Sequence, residues 1–326
     1  MRVVGLRYRF LSAVLALSFS SSISSDPVIE NVRDPDVVCA NQKYYLTVPF
    51  KDKAGGGYQM FRSENLVKWH GPKEVFRRPR ETWPGNIFQS NGRYYLYYVE
   101  IAGAGADQRV GDKDVGVAVA THIEGPYEDR GIILDSDYAY IDPQLFEDNG
   151  SLFLLVKERL AYGTGSRIVL IKMIDPETID SGAPKVTLIE ADQPWEQRIV
   201  EHPYLVKRGE YYYLMYSGGS GKHDTYALGS ASSKNVLGPY IKQRNNPFAK
   251  TNLDRGIIAP GAISIIRDIT GQDWAIYRQK VANDVSWKRN VTVDRIYFGK
   301  GVVSMSPTRG TGAMASPSAG ADACAK

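Results

Sequence analysis

Cysteine and histidine are scarce in this chain, with two and four among 326 residues. Two cysteines, Cys39 in a predicted strand and Cys324 near the C-terminus, build no disulfide framework. The four histidines, His70, His122, His202 and His223, show no metal-ligand spacing, which argues against a histidine-held metal site. Charge of one sign is lacking too, since 40 Lys and Arg stand against 36 Asp and Glu. Three of the arginines (Arg2, Arg7, Arg9) lie in the first ten residues, so the formal charge of +4 falls to about +1 without them. No nucleic-acid or anionic-membrane partner is expected from that balance. The longest apolar stretch, near Phe10 to Phe19, is too short to span a bilayer. Preceded by arginines and followed by small residues, it reads as a signal peptide over residues 1–25, which predicts a secreted, extracellular protein, or a periplasmic one. Sustained helical periodicity is also nearly absent, and "AGAGAD" from Ala102 lacks the strand-to-helix setting of a phosphate loop.

What the chain does have is a repeat. "RDPDVVCANQKYYLTV" from Arg33, "WPGNIFQSNGRYYLYYVE" from Trp83, "IDPQLFEDNGSLFLLVKE" from Ile141, "EHPYLVKRGEYYYLMYSG" from Glu201 and "APGAISIIRDITGQDWAIYR" from Ala259 each read as proline, apolar strand, polar turn and aromatic strand. The aromatic strands recur at Tyr44, Tyr94, Phe153, Tyr212 and Trp274, about 50 to 60 residues apart, which suits one four-stranded propeller blade with generous loops. Later halves repeat as well, in "HGPKEVF", "EGPYEDRG" and "LGPYIKQRNNP". The fold class predicted is all-β, a five-bladed β-propeller over residues 26–303. A β-sandwich would not produce five matched units. The tail at 304–326, made mostly of small and polar residues, reads as disordered.

Just before the strand-opening proline the five units carry Asp34, Trp83, Asp142, Glu201 (one residue further back, before His202) and Ala259. Asp-Pro is a common turn opener, because Asp bonds its own backbone and the residue before proline is held extended. Three carboxylates at one register are harder to ascribe to turns, since equivalent positions of a propeller converge on the axis and clustered carboxylates repel. Asp34 and Glu201 lie two blades apart, so carboxyls a few ångströms from the axis would stand about 8 to 9 Å from each other, the range of an inverting glycosidase with a water beneath the sugar.

With these motifs the chain resembles glycoside hydrolase family 43, five-bladed enzymes that cut arabinose- and xylose-containing polysaccharides. The likeness runs from "RDPDVV" through "SENLVKWH", "IDPQLFEDNG" and "EHPYLVKRGEYYYLMYSGG" to "DRIYFGKG". It implies that Asp34 is the general base, that Asp142 orients the acid and raises its pKa, and that Glu201 is the general acid. It further implies that Arg289, in "SWKRNVTVDRIYF", reaches the cavity. Where the family shows Trp-Ala-Pro-Glu this chain has "TWPGN", so Trp83 and Asn86 shape a different wall, with Trp83 placed to stack on a sugar. His202 is placed to line the same pocket. The family's last blade often holds a histidine near a central calcium, but "PGAIS" puts Ala262 there, and no cofactor or metal is expected.

The expected partners are arabinan, arabinoxylan or xylan-derived saccharides. Two other readings remain at this stage: a non-catalytic carbohydrate-binding propeller, and a retaining fructan-type hydrolase or transferase. The first has no need of three carboxylates. The second resembles a pattern with an Asn-Asp-Pro opening and a Glu-Cys pair, absent here.

Overall fold

A computed structural model describes residues 29–30, 32, 34–83, 85–101, 113–135, 139–160 and 164–310. The expected signal peptide, the "AGAGAD" stretch and residues 311–326 lie outside them. The described chain forms five antiparallel sheets, each contiguous in sequence. Blade I is β1 (Asp36–Ala40), β2 (Lys43–Asp52), β3 (Gly55–Ser63) and β4 (Trp69–Arg78). Blade II is β5 (Thr82–Trp83), β6 (Ile87–Ser90), β7 (Arg93–Ile101), β8 (Lys113–Ala120) and β9 (Glu128–Leu134). Blade III is β10 (Tyr140–Asp148), β11 (Ser151–Arg159), β12 (Ser166–Asp175), β13 (Thr178–Ile179) and β14 (Val186–Glu190). Blade IV is β15 (Val200–Arg208), β16 (Tyr211–Gly218), β17 (Ala227–Ser233) and β18 (Ile241–Lys242), and blade V is β19 (Gly261–Arg267), β20 (Asp273–Lys280), β21 (Arg289–Gly299) and β22 (Val302–Met305). The first strands β1, β6, β10, β15 and β19 touch in a closed ring, which makes the fold the five-bladed β-propeller expected.

The aromatic repeats are the second strands of the blades, and their alternation explains their composition. On β7, Tyr94, Leu96 and Tyr98 pack towards blade I, whereas Tyr95 and Tyr97 pack towards blade III. On β16, Tyr212, Leu214 and Tyr216 face blade III while Tyr213 and Met215 face blade V. A strand covered on both faces needs apolar side chains at every position. Five apolar clusters, one at each junction between neighbouring blades, form the core; the last joins Trp274, Ile276 and Val291 of blade V to Val37, Tyr44 and Leu46 of blade I.

The first and last described residues both meet blade V. Ile29 bridges to Val291 on β21, on an edge that no other strand covers among the described residues. The described fold continues past residue 303. β22 runs to Met305, Thr308 Oγ1 donates to Asp294 at 2.8 Å, and Arg309 donates to the carbonyls of Gly256 and Val281. Cys39, on β1, is disulfide-bonded, a feature the cysteine spacing did not suggest.

Candidate active site

The proline-opened first strands share one irregularity. Pairing with the second strand shifts between Ile141 and Gln144, between Glu201 and Tyr204, and between Gly261 and Ser264. The residue after the first of each pair takes a left-handed backbone: Asp142 (φ 57°), His202 (φ 47°) and Ala262 (φ 49°), matched in blade I by Asp34 (φ 53°). A bulge in that conformation re-aims a side chain, here into the axial space, at a cost of about 1 kcal/mol for a non-glycine residue. This geometry revises the register. The mates of Asp34 and Asp142 are His202 in blade IV and Ala262 in blade V, not Glu201 and Ala259. Glu201 stands one residue earlier, opposite Ser217.

Asp34, Asp142, Glu201 and His202 line a cavity of about 740 Å³ together with Lys157, Trp83, Arg278 and Trp287. The His202 imidazole stands between the two aspartates, Nε2 3.6 Å from Asp34 Oδ1 and Nδ1 3.3 Å from Asp142 Oδ1, and its backbone N–H donates to Asp142 Oδ2 at 3.0 Å. Glu201 Oε2 accepts from Lys157 Nζ at 2.6 Å and Oε1 from the Tyr226 hydroxyl at 2.7 Å. Arg278 pairs with Asp34 and lays its guanidinium over the Tyr226 ring, 4.6 Å from the centroid. The ring fits there because residue 261 is glycine, where a Cβ would come within 2.0 Å of Tyr226 Cε1.

Lys157 and Arg278 are products of one pattern. Each stands on the second strand of its blade, opposite the residue just before the bulge, Ile141 and Gly261 respectively. Each clamps an acid on the following blade: Lys157 of blade III holds Glu201 of blade IV, and Arg278 of blade V holds Asp34 of blade I. In blade IV the same position is Ser217, whose hydroxyl accepts from the Ala262 N–H of blade V at 2.9 Å.

The clamps set the charges. Burial pushes the Glu201 carboxyl up, but the Lys157 ammonium and His202 outweigh it and hold Glu201 well below the usual carboxylate range. Burial raises Asp142, with His202 opposing and Glu201 adding. The resemblance had Asp142 raising the pKa of Glu201; in this resting site Lys157 reverses that, and of the two Asp142 keeps the proton more readily.

The remaining expected residues divide. Trp83 lines the cavity with its indole Nε1 donating to Glu81 at 3.1 Å and Lys113 Nζ 5.1 Å over its ring. Asn86 lies beneath, in a small axial chamber, donating to Asp36 at 3.1 Å. Arg289 does not line the cavity. It is buried behind the wall, donating to the carbonyls of Ser286, Lys288 and Gly221, and the arginine that reaches an axial carboxylate is Arg278, eleven residues earlier. Lys157, Tyr226 and Arg278 were missed from the sequence. The available signal was a cation inside each apolar second strand, "FLLVKE" and "WAIYR".

The sequence pattern of glycosyl hydrolases family 43 matches residues 24–303. The chain belongs to that family. It is a glycoside hydrolase, and arabinanases, arabinofuranosidases and xylosidases are among its relatives. It is 25% identical over 279 residues to extracellular endo-alpha-(1->5)-L-arabinanase 1 of Bacillus subtilis, covering 76% of this chain and 82% of that one. It is 25% identical over 248 residues to a beta-xylosidase of the same organism, where it spans 71% of itself and only 44% of the relative. The crystal structure of a thermostable family-43 glycoside hydrolase superposes with a TM-score of 0.79 at 24% identity, covering 89% of this chain and 96% of the other.

The family 43 likeness raises the question of a central calcium, which the axial chamber's donors answer. Asp36 accepts from the Ile87 N–H at 2.9 Å and from Asn86, and Gln144 Oε1 accepts from the Leu205 N–H at 2.7 Å. Asn86 Oδ1 and Ser264 Oγ are the buried acceptors there without a protein partner among the described residues. The chamber's other carboxylates are committed, Asp34 to Arg278 and Asp142 to His202, and the two neutral oxygens that remain fit a bridging water better than the six to eight oxygen ligands of calcium. No group of three His, Cys, Asp or Glu among the described residues is disposed to hold a metal.

Proposed function

We propose that the protein is an exported enzyme that releases α-L-arabinofuranosyl or β-D-xylosyl units from arabinan-, arabinoxylan- or xylan-type chains by single displacement. In this reading Asp34 is the general base, Glu201 the general acid, and Asp142 and His202 position them. The observation that carries it is that Asp34 and Glu201 line one cavity on different blades, each with its own cation, while His202 links Asp34 to Asp142. Asp34 takes a proton from a water on one face of the sugar as that water attacks the anomeric carbon, and Glu201 gives a proton to the departing oxygen on the other. Glu201 must first be protonated, and Asp142, whose carboxyl burial raises and which interacts with Glu201, is the acid placed to keep a proton in the site. Trp83 offers a ring face for a sugar. Export accords with the extracellular arabinanases among the relatives.

The test is stereochemical. NMR during the first minutes of hydrolysis, before mutarotation, is expected to show the inverted anomer first, and Asp34→Ala to abolish it. Initial release of the retained anomer would overturn the assignment of Asp34 as a base.

A further inference from the structure

The cavity's cations outnumber its acids. Its four carboxylates are all engaged: Asp34 with Arg278, Glu81 with Lys51, Glu201 with Lys157, and Asp142 with His202. Arg159 and Lys222 line the same cavity and form no ion pair with any described residue. Arg159 follows Lys157 by two residues on β11, so its side chain leaves the same face about 7 Å nearer the mouth. Lys222 lies in the loop after β16, with Nζ 5.6 Å over the ring of Trp287, which is 51% exposed. Glu201 lies on β15, which packs against β11, the strand that carries Arg159, and pairs with β16, the strand that leads to Lys222.

Trp287 is an exposed tryptophan on a rigid mount. Buried Arg289 donates to the carbonyls of Ser286, Lys288 and Gly221, and buried Lys280 to those of Lys222, Asp284 and Ser286. Two buried cations thus tie the segment carrying Trp287 to the segment carrying Lys222. An exposed indole edged by Arg289 and by Lys222, the latter with no acidic partner among the described residues, is the chemistry that receives a sugar bearing a negative charge.

Resting on the glycosidase reading above, we propose that Arg159, Lys222 and Trp287 form a subsite for a uronic acid residue on the leaving-group chain. The side follows from Glu201, because the group that protonates the departing oxygen faces the chain that departs. The planar guanidinium of Arg159 matches a carboxylate through paired hydrogen bonds, and Lys222 adds a second charge. The enzyme would then take a neutral pentose from an acidic polysaccharide.

The probe is an arabinoxylo-oligosaccharide carrying one glucuronic acid, compared with its carboxyl-reduced neutral counterpart by calorimetry on the Glu201→Gln protein, in which turnover is suppressed. The charged form is expected to bind about tenfold more tightly at low salt, with the advantage shrinking as salt rises. In an Arg159→Gln, Lys222→Gln background the ratio of the two affinities is expected to fall to about one; the neutral form reports that the fold is intact. Equal affinities in the parent protein, or binding of neither form, overturn the subsite. Hydrolysis of nitrophenyl arabinofuranoside or xylopyranoside by the unaltered enzyme is scored separately: its absence overturns the catalytic reading, and an affinity ratio near ten still supports the subsite.

Discussion

As the proposed general acid, Glu201 has to give up a proton while an ammonium group stands 2.6 Å from one of its oxygens. A general acid works on the acidic side of its own pKa, and Lys157 lowers that pKa, so the basic limb of the kcat/KM profile belongs at low pH. Replacing Lys157 by Gln removes the charge. On a substrate with a poor leaving group the limb is expected to move up by about one pH unit or more. A limb that stays in place would show that Lys157 does not govern the acid. The three carboxylates were legible in the sequence because each sits one or two residues before the proline of a first-strand repeat. Lys157 and Arg278 were not, because their partners lie on the next blade, 44 residues onward in one case and across the ring closure in the other. The same lack of depth misplaced the arginine: sequence gives a position along "SWKRNV" but not whether it faces the cavity or the loop behind it.

Among strands, the second ring of axial residues clips blade to blade. Asp36 of blade I takes the Ile87 N–H of blade II, Gln144 of blade III brackets Leu205 of blade IV, and Tyr204 of blade IV donates to the Ile265 carbonyl of blade V at 3.2 Å. Asp36 is the only acid of the three. Burial raises its carboxyl from 3.8 to about 7, against the hydrogen bonds from Ile87 and Asn86. The folded protein therefore keeps this proton at pH values where the unfolded chain has lost it. Its stabilising effect is complete below pH 3.8 and is lost as pH rises through about 7, a change of at most about 4 kcal/mol. Asp36→Asn, which keeps an acceptor for Ile87 and can donate to a turned Asn86, is expected to retain acid-side stability up to neutral pH. Thermal melts of both proteins from pH 4 to 8 test this, and parallel curves would show that Asp36 stays ionised. The prolines marked where the first strands lie; the bulges beside them, and with them the difference between Ala259 and Ala262, depend on cross-strand register that one strand's sequence does not carry.

Across the whole molecule, five repeats were enough to read the architecture, since each supplies one apolar aromatic strand and each junction buries two of them. The closure was not readable, because Ile29 pairs with Val291 over some 260 residues and no repeat marks it. Ile29 also packs against the junction between blades V and I. Ile29→Asp puts a charge in that seam and is expected to cost about 2 kcal/mol, lowering the melting temperature by several degrees. An unchanged melting temperature would show that the ring holds without this bridge. Composition alone assigns Thr308 and Arg309 to the tail because they are polar; in the structure Thr308 donates to Asp294 of blade V and Arg309 to the Gly256 carbonyl.

Asp34 and Glu201 are each held from the blade before their own. The distance across a seam between blades is therefore also the distance between an acid and its counter-charge, and the site's acidity is a function of how tightly the ring is drawn. Heat that loosens the seam between blades III and IV would shift the titration of Glu201 before any strand of either blade has melted.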